Sequence, residues 1–100
     1  MGFKIVWTKH ALDTFAKNID YLQQKWTEKE VRDFTSKVND LLAAIRKQPL
    51  MYRKSEKLAN VHIGLIVKQV SLVYRVKSRK KEIELIAFLD NRQGPKKRQA

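Results

Sequence analysis

The spacing of apolar side chains changes once along the chain, and that change limits the possible folds more than any other feature. Between residues 8 and 48 apolar side chains return every three or four positions; between 61 and 90 they alternate. The first period is that of a helix with one buried face, the second that of strands in a sheet. Leu12, Phe15, Ile19, Leu22 and Trp26 form one helical stripe, and Val31, Phe34, Val38, Leu41, Leu42 and Ile45 form a second. Thr8 stands where an N-cap is needed for the first helix. Thr27-Glu28-Lys29-Glu30 matches a capping box for the second, in which the hydroxyl and the carboxylate each satisfy a free backbone N–H. Pro49 stops that helix. The connection at 25–27 is so short that the two helices are expected to fold back as an antiparallel hairpin. A short strand over 3–7 precedes them, with Phe3, Ile5 and Trp7 on one face.

The last third reads as a three-stranded meander. Val61, Ile63, Leu65 and Val67 alternate, as do Val70, Leu72, Tyr74 and Val76, and then Ile83, Leu85, Ala87 and Leu89. The other face would carry His62, Gly64, Ile66, Ser71, Val73, Arg75, Lys77, Glu82, Glu84, Ile86 and Phe88. A two-residue turn at Lys68-Gln69 pairs Val67 with Val70 and His62 with Arg75, although it lacks the Asn or Gly such turns prefer. A four-residue turn over 78–81 pairs Lys77 with Glu82 and Arg75 with Glu84, opposite charges across the strands. The expected fold is α+β, in the order β-α-α-β-β-β. An antiparallel sheet carries the helical hairpin on its wholly apolar face and leaves the mixed face for a partner. Residues 48–60 have no period and are long for a connection in so small a domain, which marks a functional loop.

One hundred residues allow a single domain, placed at 1–92, with a basic tail over 93–100 that contains Gly94, Pro95 and Lys96-Lys97-Arg98. The chain has no cysteine, which rules out disulfides, thiolate catalysis and Cys-based metal sites. Two histidines and scattered carboxylates give no metal-ligand cluster, and no Gly-rich phosphate loop is present, so no cofactor is expected. The longest apolar run, over 85–89, is too short to span a membrane. The first 20 residues lack the apolar stretch of a signal peptide, so a cytoplasmic location is expected. The net charge is +12, and it is uneven: residues 1–45 hold seven basic and six acidic side chains, residues 46–100 fifteen and four. Such an excess suits a phosphate-bearing or acidic partner on the second half.

The segments then resemble a known family. Ser71-Leu72-Val73-Tyr74-Arg75-Val76 is similar to the "R-L-V-Y-x-V" strand of RelE proteins, with Ser71 where Arg is usual. Glu84-Leu85-Ile86-Ala87-Phe88-Leu89-Asp90-Asn91-Arg92 is similar to their last strand and the Arg after it, and Asn91 to Pro95 to the end of plasmid-stabilisation members. Trp7, Ala11 and Asp20-Tyr21-Leu22 add to the match, which runs over nearly the whole chain. The resemblance is to the RelE/ParE superfamily of toxins from bacterial type II toxin–antitoxin operons. It implies one of two activities: RelE-type cleavage of messenger RNA in the ribosomal A site, or ParE-type inhibition of DNA gyrase without nuclease activity. The ribosome is the leading expectation, because the basic second half suits an RNA-dense target; gyrase inhibition, or nucleic-acid binding without activity, is the alternative.

RelE-type cleavage uses the substrate's 2′-hydroxyl as nucleophile, so the protein must remove a proton, hold a dianionic phosphorane and protonate the leaving oxygen. Clustered cations can do the second of these, and a lysine crowded by cations can serve as a base. The resemblance carries over Arg92 as the phosphate-holding Arg, and Lys54 and Lys57 as catalytic lysines of the loop before the second strand, the first of the meander. Arg53, Arg75, Arg79, Lys80 and Lys81 are expected to hold nucleic acid, and His62 is a candidate for acid–base work. Two family positions depart: Ile66 stands where the RelE branch has a strand Arg, and Arg98 where it has a C-terminal Tyr. An acidic antitoxin is the implied partner. It is expected to cross the mixed face over Ile66, Val73, Ile86 and Phe88.

Overall fold

The structure, a computed structural model, describes residues 2–91. The tail over 93–100 and Arg92 lie outside the described residues. The elements run β1 (Lys4–Trp7), α1 (Lys9–Lys25), α2 (Glu28–Lys47), β2 (Arg53–Lys54), β3 (Val61–Val67), β4 (Val70–Lys77) and β5 (Glu82–Asp90). This is the expected order with one addition, the two-residue β2 inside the 48–60 segment. The sheet has the strand order β1-β5-β4-β3-β2. It is mixed rather than wholly antiparallel, because β1 lies parallel to β5.

Local chemistry places the helix ends. The Thr8 hydroxyl accepts the Ala11 N–H at 3.0 Å. The Thr27 hydroxyl accepts the Glu30 N–H at 3.2 Å, and the Glu30 carboxylate accepts the Thr27 N–H at 3.0 Å, completing the capping box. The stripe of α1 is the expected one at Phe15, Ile19, Leu22 and Trp26 and differs at its first member. Ala11 is fully buried whereas Leu12 is 52% exposed, since the small Ala11 side chain lets the helix close on the sheet. Phe34, Val38, Leu41 and Ile45 of α2 pack with Ala11 and Leu22 of α1 on Val70, Leu72, Tyr74, Val76, Ile83, Leu85 and Phe88. A run of rings links the layers: Phe88 stacks on Trp7 at 5.6 Å and meets Phe15 at 5.0 Å, and Phe15 reaches Phe34 at 6.3 Å.

The strand registers hold near both turns and then shift. Val67 faces Val70, and Lys77 and Arg75 face Glu82 and Glu84, as expected. Beyond those pairs each hairpin carries one extra residue. Ile66 is extra in β3, so Ile63 faces Val73, and His62 faces Tyr74 rather than Arg75. Ile86 is extra in β5, so Ala87 faces Val73 and Phe88 faces Leu72. One inserted residue reverses the alternation of everything after it. His62, Gly64 and Phe88 therefore turn to the helix-covered side, and Ile63, Leu65, Ala87 and Leu89 to the open side.

The shift in β5 coincides with the end of β1. After Leu85 the edge of β5 has no strand beside it, and α1 side chains take the place of one. Thr8 Oγ1 donates to Leu85 O at 2.7 Å, Phe88 N donates to Thr14 Oγ1 at 2.9 Å, and Asn18 Nδ2 donates to Phe88 O at 3.1 Å. Asn18 is buried, and this bond satisfies it.

Candidate functional site

The open face of the sheet is built from rows of paired residues. Arg53, Ile63, Val73 and Ala87 make one row; Leu65, Ser71 and Leu89 the next towards one end; Val61, Arg75 and Glu84 the next towards the other. The accessible apolar part is Leu65, 58% exposed, and Leu89, with the half-buried Ile63 and Val73 beside them. Of the four residues expected to floor this face, Val73 alone lies squarely on it. Phe88 is 2% exposed on the covered side, held in the ring cluster. Ile66 packs against the core with Tyr52, and Ile86 sits half-buried at the register shift. Ile63, Leu65 and Leu89 were not legible as members, because simple alternation assigns them inward. The available signal was Gly64, since a glycine within a strand marks a bulge or a close approach of another group.

His62 does not face the open side either. Its Nδ1 donates to Tyr52 O at 2.9 Å and its ring stacks on Tyr74 at 5.5 Å. A carbonyl only accepts, so this nitrogen carries the proton. Tyr74 donates its hydroxyl to Pro49 O at 2.9 Å, and burial pushes its pKa up to about 12. The Tyr52 ring lies on Gly64, where a Cβ would come within 3.0 Å of it. Three partly buried contacts thus moor the 49–52 segment to the sheet and deliver Arg53 and Lys54 as the edge strand β2.

From there the chain turns through a tight loop. Ser55 N donates to Val61 O at 2.7 Å, the Ser55 hydroxyl accepts the N–H groups of Lys57 and Leu58, and Asn60 adopts the left-handed conformation at φ 62°. Arg53, Lys54 and Lys57 border a depression of about 330 Å³ with Glu56 and Ile63. On the other side of the loop a depression of about 520 Å³ is bordered by Asn60, Arg75, Lys77, Arg79 and Lys80. Lys81 closes the 78–81 turn with φ 54°. Arg75 and Lys77 share one carboxylate, with Glu84 oxygens at 3.6 and 3.4 Å. The expected partner of Lys77 was Glu82, directly opposite; the ion pair instead runs diagonally to Glu84.

These cations gather at one end of the molecule. β2 runs towards the start of β3; β4 ends there, and β1 and β5 begin there. Phe3 N donates to Arg46 O, so the C-terminus of α2 reaches the same end. Lys4, Arg46, Lys47, Arg53, Lys54, Lys57, Arg75, Lys77, Arg79, Lys80 and Lys81 stand there against Glu56, Glu82 and Glu84. The other described residues hold seven cations and seven carboxylates. The sequence shows a basic second half; the fold makes it a basic pole.

Among the described residues no group of His, Asp and Glu side chains could hold a metal ion, and no helix is long and apolar enough to cross a membrane. No curated protein matches the chain in sequence. Solved structures do match in fold. The ParDE system of Pseudomonas aeruginosa contains a chain similar at TM-score 0.68 and 17% identity, over 88% of this chain and 95% of that one. The RelBE2 toxin–antitoxin complex of Mycobacterium tuberculosis matches at 0.62 and 13%, over 90% and 99%. A Helicobacter pylori toxin matches at 0.63 and 23%, over 91% and 97%. The family model described as the ParE toxin of the type II toxin–antitoxin system parDE matches residues 5–95, and the chain belongs to that family.

Proposed function

We propose that this type II toxin acts by occupying a protein target, DNA gyrase, as the ParE branch of the resemblance implies, and not by cutting RNA. The observation that supports this is the inward placement of the imidazole and phenol groups suited to proton transfer, which leaves Lys54 and Lys57 as the remaining candidates at the surface. RelE-type cleavage needs a base for the 2′-hydroxyl and an acid for the leaving oxygen. Among the described residues, His62 and Tyr74 are buried beneath the sheet, Tyr52 lies on Gly64, and His10 and Tyr21 belong to α1. The open face offers cations, two carboxylates and an apolar strip, which is chemistry for binding.

Messenger RNA cleavage on the ribosome is the second reading. Arg53, Lys54 and Lys57 around one depression favour it, since clustered cations stabilise a phosphorane. In that mechanism Arg92→Ala would cost about 10²–10³ in rate. Two assays separate the readings: supercoiling by purified gyrase titrated with the toxin, and primer extension on mRNA after induction. Loss of supercoiling with intact mRNA is the expected result; cleaved mRNA with gyrase unaffected would reverse it.

The antitoxin partner would take the open face. An acidic segment crossing Ile63, Leu65, Val73 and Leu89 buries the apolar strip and places carboxylates near Arg53, Lys57 and Arg75. Apolar burial would supply most of the affinity and charge the association rate. Val73→Asp is expected to speed dissociation, and Arg53→Glu with Lys57→Glu to slow association and flatten its salt dependence. Binding unchanged in both variants would move the antitoxin to the helical hairpin.

A further inference from the structure

The basic pole carries more cations than the antitoxin contact proposed above uses: Lys54, Arg79, Lys80 and Lys81 have no part in it. Arg53, Lys54, Lys57, Arg79, Lys80 and Lys81 are exposed and, among the described residues, form no ion pair. All but Lys81, which closes the neighbouring turn, line two depressions on either side of one loop, and that loop is held in shape by the Ser55 bonds and the left-handed Asn60. Cations gathered on one loop and one turn beside a neutral remainder make a surface for a regular line of negative charge. Among the described residues the pole also presents no fully exposed ring. Tyr52, Tyr74 and Phe88 are turned to the covered side, and Phe3 packs on the core. Single-stranded nucleic acid is held by bases stacking on exposed aromatics, and nothing described on the pole provides that. A duplex hides its bases and offers phosphates alone, at high charge density.

We propose that the basic pole is a sequence-independent binding site for the phosphate backbone of duplex DNA. The toxin would engage the duplex through the 55–60 loop and the 78–81 turn, leaving the apolar strip free for a protein. This goes beyond the gyrase reading and does not rest on it, because the binding is measured without gyrase. Failure of either leaves the other standing.

The test is fluorescence anisotropy of the full-length toxin with a labelled DNA duplex of about 20 base pairs over about 50–200 mM salt. The expected logarithmic slope is about −3 to −5, which corresponds to roughly four or five phosphates neutralised. Arg79→Ser, Lys80→Ser and Lys81→Asn together should make the slope shallower by about 2–3 units; Asn at 81 tolerates the left-handed backbone. Lys17→Ala with Lys29→Ala, on the helices, should leave it unchanged. Near-ultraviolet circular dichroism checks that each variant is folded. An unchanged slope in the turn variant assigns the binding to another segment and overturns the proposal. So does an equal effect from the helix variant, tighter binding to a single strand or to duplex RNA, or equal competition by polyglutamate of the same charge.

Discussion

On the covered face of the sheet Leu72, Tyr74, Ile83, Leu85 and Phe88 are exposed by 2% or less, whereas on the open face Leu65 is exposed by 58% and Leu89 by 36%. The same strands build both faces, and adjacent residues in β5 belong to opposite ones. Buried side chains hold the fold, and their loss leaves cavities. Exposed ones on the open face carry little of the stability and are free to serve binding. A pair of neighbours that differ only in face is therefore the sharpest probe of the arrangement. Phe88→Ala should cost about 3–5 kcal/mol, because it opens a hole between Trp7, Phe15 and Leu72. Leu89→Ala should cost less than about 0.5 kcal/mol. Urea denaturation of the two variants measures both. A large loss at Leu89 with a small one at Phe88 would restore unbroken alternation and remove the register shift at Ile86.

Such shifts explain what could be read from the sequence. Long-period signals were legible: the two helices, the Thr27–Glu30 capping box, the stop before Pro49 and the pairs next to each turn all stand where spacing and capping chemistry put them. Those features depend on residues close together in sequence. The bulges do not. Ile66 and Ile86 are apolar in both readings, so neither pattern nor propensity distinguishes a regular strand from one with an extra residue. The cause in β5 lies at the far end of the chain, where Thr8, Thr14 and Asn18 bond to its free edge. The candidate site suffered most, because membership of the open face is a matter of parity. Arg75 and Val73 lie on the face expected of them; Arg53, read as a loop residue, lies in β2, and Phe88 and His62 lie on the covered side. The joining of the α2 terminus to the basic strands at one pole likewise depends on topology, which a count of charges by halves does not contain.

The bulge in β3 leads to a second test of the same contrast. Gly64 faces the covered side, and a Cβ there would lie 3.0 Å from Tyr52 ring atoms. Gly64→Ala should cost about 1–3 kcal/mol in thermal denaturation, as overpacking does. The cost should shrink in a Tyr52→Ala background, where the ring is gone, and that coupling is what a double-mutant cycle reads. Additive costs would mean that Tyr52 is not the obstacle.

Tyr74 gives a smaller effect with a pH signature. Tyr74→Phe removes the bond to Pro49 O and should cost about 0.5–1.5 kcal/mol near neutrality. The folded chain holds this phenol neutral up to about pH 12, whereas its ordinary value is 10.0. The raised value means that its contribution is complete below the ordinary pKa and is lost as pH rises through the folded one. Denaturant midpoints of the native protein and of Tyr74→Phe should therefore converge between about pH 10 and 12. A difference that stays constant over that window would place the hydroxyl in contact with water.

The smallest effect on stability belongs to the open face, and there function should change more than fold. Glu84 holds both Arg75 and Lys77, at 3.6 and 3.4 Å, with the two cationic side chains 40% and 35% exposed. Ion pairs so open to water contribute about 0.2–1 kcal/mol at most, so Glu84→Gln should scarcely shift the unfolding midpoint. It should, however, release two cations beside the apolar strip and remove a carboxylate that repels an acidic partner. The expected outcome is faster association with the antitoxin at low salt, with the gain fading as salt rises, followed by stopped-flow fluorescence. Slower association would give Glu84 a different part: it would be the residue that holds Arg75 and Lys77 in the positions the partner needs. The open face would then depend on an internal ion pair for its shape, as the covered face depends on packing.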